Sequence, residues 1–350
     1  MKNSNRRLTI ALAASGVLAL SMLSGAQAAA GSSETSCSGP FTAETLATVP
    51  VSCDLTGKTV ELADGVMMVI PAPGSGVTAS AYEESGATGE TDTSVLRAED
   101  GSVAVSQGQK VIAHRGDAAR KALTARLSDT PHTQKLLSSC TSFDTLDHSW
   151  PSHEYGWVLN PLGGPAIGDQ TIENYLDIAA TRWNPNVTGS TAANACGHDW
   201  WPSYGTKFLG QVPYGTTVNT SGGCDWISSP SVVGFGAIND PENTKLAVAC
   251  SYWGIGSSIA DVDIKFDNSN RNWTVFSSQL GPEVWDLTSV AVHEFGHAAG
   301  LAHTPSDSSN VMYPYIDPGV MKWDISIGDA SGIYAIYGED IPALSARTQR

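Results

Sequence analysis

From about residue 147 onward, the apolar positions of this chain fall into two interleaved rhythms. "YGWVLN" (155–160), "SVVGFGAI" (231–238), "KLAVACSYW" (245–253) and "IADVDIKF" (259–266) are short β-branched and aromatic runs bounded by turn formers, which predicts strands. In "DQTIENYLDIAATRWN" (169–184) the residues Ile172, Tyr175, Leu176, Ile178, Ala179 and Trp183 recur at helical spacing, so an amphipathic helix with these side chains inward is expected. "DLTSVAVHEFGHAAGLAH" (286–303) predicts a second helix with Asp286 as its N-cap. "GDASGIYAIYG" (328–338) predicts a closing helix with Ile333, Ile336 and Tyr337 inward. Strands and helices interleaved in this way argue for an α+β domain over 147–338, followed by a short tail, 339–350.

The text before residue 147 is different. Residues 29–146 are rich in Gly, Ser, Thr and Ala, with short β-type runs such as "TVELADGVMMVIPAPG" (59–74) and "GSVAVSQGQKVIAH" (101–114). "SAYEESGATGETDT" (80–93) has almost no large apolar residue and reads as a mobile loop. "GDAARKALTARLSD" (116–129) has helical composition, with Asp117 as a candidate cap. The whole stretch reads as a β-rich N-terminal region, either a propeptide or a retained binding domain, with a linker helix near 116–129.

Composition narrows the function classes. The chain of 350 residues carries a formal net charge of -16, which sets its field against nucleic acid. Lys2, Arg6 and Arg7 precede an apolar run from Leu8 to Leu23, and Ala26-Gln27-Ala28 offers a small-residue exit. Residues 1–28 therefore read as a secretory signal peptide of bacterial appearance, with no membrane segment left after its cleavage. A secreted, extracellular monomer is expected. The six cysteines Cys37, Cys53, Cys140, Cys196, Cys224 and Cys250 then read as disulfides. Cys37 and Cys53 stand apart and are expected to pair; Cys224 is expected to join Cys250 or Cys196.

The chemistry concentrates in "HEFGHAAGLAH" (293–303). Residues four apart lie one turn apart on the same helix face, so His293 and His297 can address one metal ion. Glu294 projects beside them, placed to take a proton from a water at the metal. Gly300 can take the left-handed conformation that ends the helix and brings His303 round as third ligand. Three imidazoles with one open position suit a catalytic zinc ion, since a structural site would be closed by four protein ligands.

This stretch resembles the H-E-x-x-H-x-x-G-x-x-H signature of the metzincin zinc peptidases. "NVMYPY" (310–315) supplies a methionine turn with Met312, implied to support the histidines from below. Thr304 after the third histidine, Tyr313-Pro314 after Met312, and "GDASGIYAIYG" are similar to the matrixin branch, which includes the matrix metalloproteinases. "LAVACSYW" and "ADVDIKFD" resemble the two strands before the active-site helix. The resemblance implies a metzincin-like catalytic domain with a twisted mixed sheet, an active-site helix and a C-terminal helix. It also implies a secreted endopeptidase acting on extended polypeptides, with Glu294 as catalytic base. Substrate would pair with an exposed strand edge at Leu246, Val248 and Tyr252 and meet Tyr313, Pro314 and Tyr315. The order Tyr315-Ile316 departs from the family's pocket wall.

Other departures concern latency and calcium. The leader lacks P-R-C-G-x-P-D, the thiol segment of the matrixin propeptide; Cys140 alone is placed to imitate it, although the even cysteine count favours a disulfide there. The calcium segment of many matrixins corresponds to Phe266-Asp267-Asn268-Ser269-Asn270, where asparagines replace acids and weaken the case for Ca²⁺. Two rival readings stand beside the peptidase: a secreted zinc amidase acting on cell-wall peptides, and a non-enzymatic binding protein with a vestigial site. The complete set of three ligands and a glutamate weighs against the second.

Overall fold

The computed structural model describes residues 37–338, apart from 51, 89–90, 129–142, 185–202, 228–229 and 255. The expected signal peptide and C-terminal tail, Cys140 and Cys196 lie outside the described residues. The chain opens with β1 (Phe41–Thr42), α1 (Ala43–Leu46), β2 (Thr59–Glu61) and β3 (Met67–Val69), and β1-β2-β3 form a small sheet. An antiparallel run follows: β4 (Ser75–Glu84), β5 (Asp92–Arg97), β6 (Val103–Gln107) and β7 (Lys110–Arg115). Then come α2 (Asp117–Ser128), β8 (Glu154–Asn160), α3 (Asp169–Thr181), β9 (Gly205–Gln211) and β10 (Val232–Gly236). The remainder is β11 (Lys245–Gly254), β12 (Ile259–Asp267), β13 (Trp273–Thr274), β14 (Trp285–Asp286), α4 (Leu287–Ala298), β15 (Tyr315–Ile316) and α5 (Ile327–Tyr337). Among the described residues no helix is long and apolar enough to cross a membrane.

β4 to β12 build one mixed sheet in the order β7-β6-β5-β4-β11-β12-β10-β8-β9, with β15 added alongside β4, while β13 and β14 pair with each other. β8, β9, β10 and β12 run parallel; β11 is antiparallel to both β12 and β4. The architecture is the α+β arrangement expected of a metzincin catalytic domain, with an active-site helix and a C-terminal helix. The sheet, however, runs straight through the expected boundary at 147. β4 pairs with β11 from Ser75 opposite Gly254 to Glu83 opposite Lys245, so the N-terminal region and the rest share one sheet.

Side-chain alternation explains why the sheet is covered on both faces. Ala247, Ala249, Val262 and Ile264 point into a core shared with Leu176 of α3, Val290 and Phe295 of α4 and Ile333 of α5. Val77, Ala79, Ala81, Val248, Cys250 and Tyr252 point the other way, under Leu55, Met68 and Ile70 of the small-sheet layer. Two disulfides reinforce that second layer, Cys37–Cys53 and Cys224–Cys250. In α3, Ile172, Leu176, Ala179 and Trp183 are buried as expected, but Ile178 is 41% exposed. Its place in the core is taken by Ala180, which the helical spacing had not included.

The largest difference from expectation is at the two ends of 80–93, where a mobile loop is expected and, among the described residues, only those between Glu84 and Asp92 lie outside strands. Ser80–Glu84 complete β4 and Asp92 starts β5, and Ser80, Tyr82 and Glu83 are buried. Small side chains suit a strand flanked by neighbours on both sides, so the lack of bulky residues here reflects tight packing rather than mobility.

Candidate metal centre

Helix α4 starts at Asp286, whose carboxylate accepts the backbone N–H of Ser289 at 2.9 Å, and every residue of the helix is buried. Its last turn ends at Gly300, in the left-handed region at φ 96°, and a side chain there would run into the carbonyl of His148. The chain then turns back, and the N–H of Thr304 donates to Met312 O at 2.8 Å, tying His303 to the methionine turn.

The three histidines converge. Their Nε2 atoms lie 3.0 Å apart for His293–His297 and 3.1 Å apart for the two pairs with His303. What each ring does with its other nitrogen decides the chemistry. His293 Nδ1 faces Val311 O at 2.7 Å and His297 Nδ1 faces Leu301 O at 2.9 Å. A carbonyl oxygen can only accept, so both Nδ1 atoms carry the proton and both Nε2 atoms are left with a lone pair. His303 Nδ1 faces the Asp92 carboxylate at 3.0 Å, again an acceptor. Three lone pairs therefore point at one another in a buried space, an arrangement that repels itself unless a cation joins them. Bonds of about 2.0–2.1 Å at tetrahedral angles put such nitrogens roughly 3.3 Å apart, close to the separations found. The donor set thus fits zinc. Among the described residues, these three histidines are the group brought together as a metal could use them. Burial pushes His297 down to about 3, with the charge of His303 adding to it, and holds His293 well below the ordinary imidazole range, so both rings stay neutral, as a metal ligand must.

Glu294 is fully buried beside the three histidines. Burial drives its carboxyl well above the ordinary carboxylate range; the Tyr82 backbone N–H opposes this and the charge of Asp92 adds to it. Met312 is 1% exposed, and its thioether packs onto the bare backbone of Gly296, between the first two histidines of α4. The methionine turn is fixed from below by Asp329 of α5, whose carboxylate accepts Val311 N–H at 2.8 Å and Met312 N–H at 3.1 Å. Trp183 packs against Gly296 and donates its indole N–H to Val292 O at 2.9 Å.

The remaining candidates are placed differently. The expected free edge at Leu246–Tyr252 is covered: β11 is paired on one side with β12 and on the other with β4. Val248 and Tyr252 face the small-sheet layer, where the Tyr252 hydroxyl donates to Asp225 O at 2.6 Å, while Leu246 sits in the helix-side core. Tyr313 and Tyr315 are half-buried and stand edge to face at 5.7 Å, with Pro314 buried between them. β4 occupies this side too, since Pro314 O accepts Glu83 N–H at 3.1 Å and Ile316 O accepts Ser85 N–H at 3.0 Å. Asp267, in the expected calcium segment, spends one carboxylate oxygen on the N–H groups of Ile238 and Ser269, at 3.0 Å each.

Three residues at the centre were not anticipated, all from 80–93. The ring of Tyr82 lies parallel on His293, 3.7 Å between centroids and 2° from coplanar. Thr91 and Asp92 both meet His303 Nδ1. A signal was present in "SGVTASAYEE", whose Val77, Ala79 and Ala81 alternate as a strand does, but the absence of large residues masked it.

Residues 238–338 match the sequence profile of the matrixin family. The chain is 45% identical over 53 residues to the metalloendoproteinase 1-MMP of Arabidopsis thaliana, covering 15% of this chain and 14% of that one. It is 42% identical over 77 residues to the matrix metalloproteinase-20 of Homo sapiens, covering 22% and 14% respectively. To the metalloendoproteinase 1 of Glycine max it is 48% identical over 54 residues, covering 15% and 17%. The likeness therefore spans only 14–17% of the length of each of these relatives. The stretch that matches the matrixin profile carries the three histidines, the methionine turn and α5, and in that stretch the chain is similar to the matrixins.

Proposed function

We propose that this protein is a secreted zinc-dependent endopeptidase held in a latent form by its own N-terminal half. The observation that carries the reading is the convergence of three Nε2 lone pairs, each enforced by an acceptor on the far side of its ring, with a buried glutamate alongside. When bound, zinc would supply a Lewis acid that activates water and polarises the scissile carbonyl. His293, His297 and His303 would hold it. Glu294, ionised once the departure of β4 opens the site to water and relieves its burial, would accept the proton of the attacking water and deliver it to the departing amine. Met312 keeps the floor of the site in place without bonding to the reacting atoms.

Latency follows from where β4 lies. Its last residues run between β11 and β15, donating from Glu84 N–H to Thr244 O at 2.9 Å on one side and from Glu83 N–H to Pro314 O on the other. An extended substrate needs those same backbone groups, by strand addition to β11 and contact with Tyr313, Pro314 and Tyr315. Tyr82 meanwhile covers His293. The thiol segment of the matrixin propeptide, lacking here, is replaced in this reading by a strand and an aromatic ring, and substrate enters only once β4 has left.

The test is zinc analysis of the secreted protein with chelator-sensitive casein cleavage, before and after limited proteolysis, and N-terminal sequencing of the active species. Glu294→Ala should keep its zinc and lose cleavage. Zinc-free protein, or undiminished turnover by Glu294→Ala, would refute the peptidase; full activity of the uncut chain would refute latency.

A further inference from the structure

The three ligand histidines are not held alike. His293 and His297 stand on α4, and the carbonyls that accept from their Nδ1 atoms, Val311 O and Leu301 O, belong to the same matrixin segment. His303 lies beyond the Gly300 turn with no helix under it, and its acceptor comes from 211 residues away: Asp92 Oδ2, at the start of β5, 3.0 Å from Nδ1. Thr91 Oγ1 is as close, also at 3.0 Å. The two are not equivalent. A hydroxyl can donate to Nδ1 as readily as accept from it, which would put the ring proton on Nε2 and block a metal. A carboxylate only accepts, so Asp92 decides the tautomer.

We infer that Asp92 is the positioning residue for the third metal ligand, so that the N-terminal half, besides filling the cleft, helps hold the metal. This rests on the zinc reading above. A carboxylate behind a ligating imidazole fixes ring and tautomer and raises ligand basicity. Asp92 is itself anchored, because β5 is paired to β4 from Asp92 opposite Ser80 to Arg97 opposite Ser75, and β4 in turn to β11. The metal affinity of the intact chain is therefore higher than the matrixin segment alone would give.

The experiment measures zinc affinity of the full uncut chain by competition with a chromophoric chelator. Asp92→Ala should weaken zinc about 10–100-fold, the usual cost of losing such a partner, and Asp92→Asn should weaken it less. Asp54→Ala serves as control: it breaks the 3.2 Å ion pair to Arg97 at the other end of β5 without touching a histidine, and should leave affinity unchanged. In ¹H–¹⁵N spectra of the metal-free protein, Asp92→Ala and Asp92→Asn should shift or lose the Nδ1–H signal of His303 and leave those of His293 and His297. Wild-type affinity in Asp92→Ala, or an equal loss in Asp54→Ala, overturns the inference while the zinc site stands. If Asp92→Ala does not fold, the spectrum and affinity of Asp92→Asn decide in the same way. Wild-type protein that binds no zinc overturns both readings.

Discussion

Gly296 is the position where the helix and the methionine turn touch, and Gly296→Ala sets two effects of known size against each other. Alanine is favoured over glycine in a helix interior by about 1 kcal/mol, so on propensity alone the variant gains stability. The structure predicts a loss. A Cβ at 296 would lie 2.8 Å from Cζ2 of Trp183 and nearer still to the sulfur of Met312. The indole is pinned by its bond to Val292 O, and Met312 has almost no solvent to retreat into. Overpacking of this kind costs about 1–3 kcal/mol, so the net change should be a loss of up to about 2 kcal/mol. Met312→Ala alone should cost about 2–5 kcal/mol through the cavity it leaves. In the double variant the vacated space accepts the new methyl group, and the two costs should fall short of their sum by about 1–3 kcal/mol. Urea unfolding followed by tryptophan fluorescence, with chelator present throughout so that metal binding does not enter, measures all three. A Gly296→Ala protein more stable than the parent, or strictly additive costs in the double variant, would refute this account of the glycine.

Burial lifts the carboxyl of Glu83, on the cleft strand, from near 4.5 to about 7, with Lys245 opposing and Asp240 adding. Between those values the folded chain keeps a proton that the unfolded chain has lost, so stability should fall as pH rises through this window, by up to about 3 kcal/mol. Glu83→Gln should flatten that slope, and an unchanged pH profile of melting would contradict the assignment. The Cys224–Cys250 disulfide closes a loop of 26 residues onto β11, and replacing both cysteines by alanine should cost about 3 kcal/mol in chemical denaturation. A loss below about 1 kcal/mol would mean the fold holds β11 in place without it.

The stretch that carries the histidines was legible because its signals are local. The spacing of His293, His297 and His303, the cap at Asp286 and the glycine at 300 each follow from helix geometry over a few residues. Both disulfides among the described residues fell within the expected pairings. What was not legible is long-range. Nothing near Tyr82 or Asp92 in sequence says that they will stand against histidines more than two hundred residues later. Composition misled there as well: a strand enclosed by neighbours needs small side chains, and "SAYEESGATGETDT" has the same letters as a loop. Ile178 failed for the opposite reason, since the apolar period fitted it while the core lay under its neighbour Ala180.

On the latency proposed above, the continuity of the large sheet would make activation harder than a cut. Severing the chain after α2 would leave β4 still zipped along β11 from Ser75 to Glu84, with β5, β6 and β7 hanging from it. Release requires the ladder to part in mid-sheet, which is a partial unfolding with its own barrier, slow in the cold and steeply faster on warming. Once parted, a long apolar rim with unpaired N–H and C=O groups faces water, ready to seize an extended peptide or a second copy of itself. Speed of ripening and tendency to clump should thus rise and fall together.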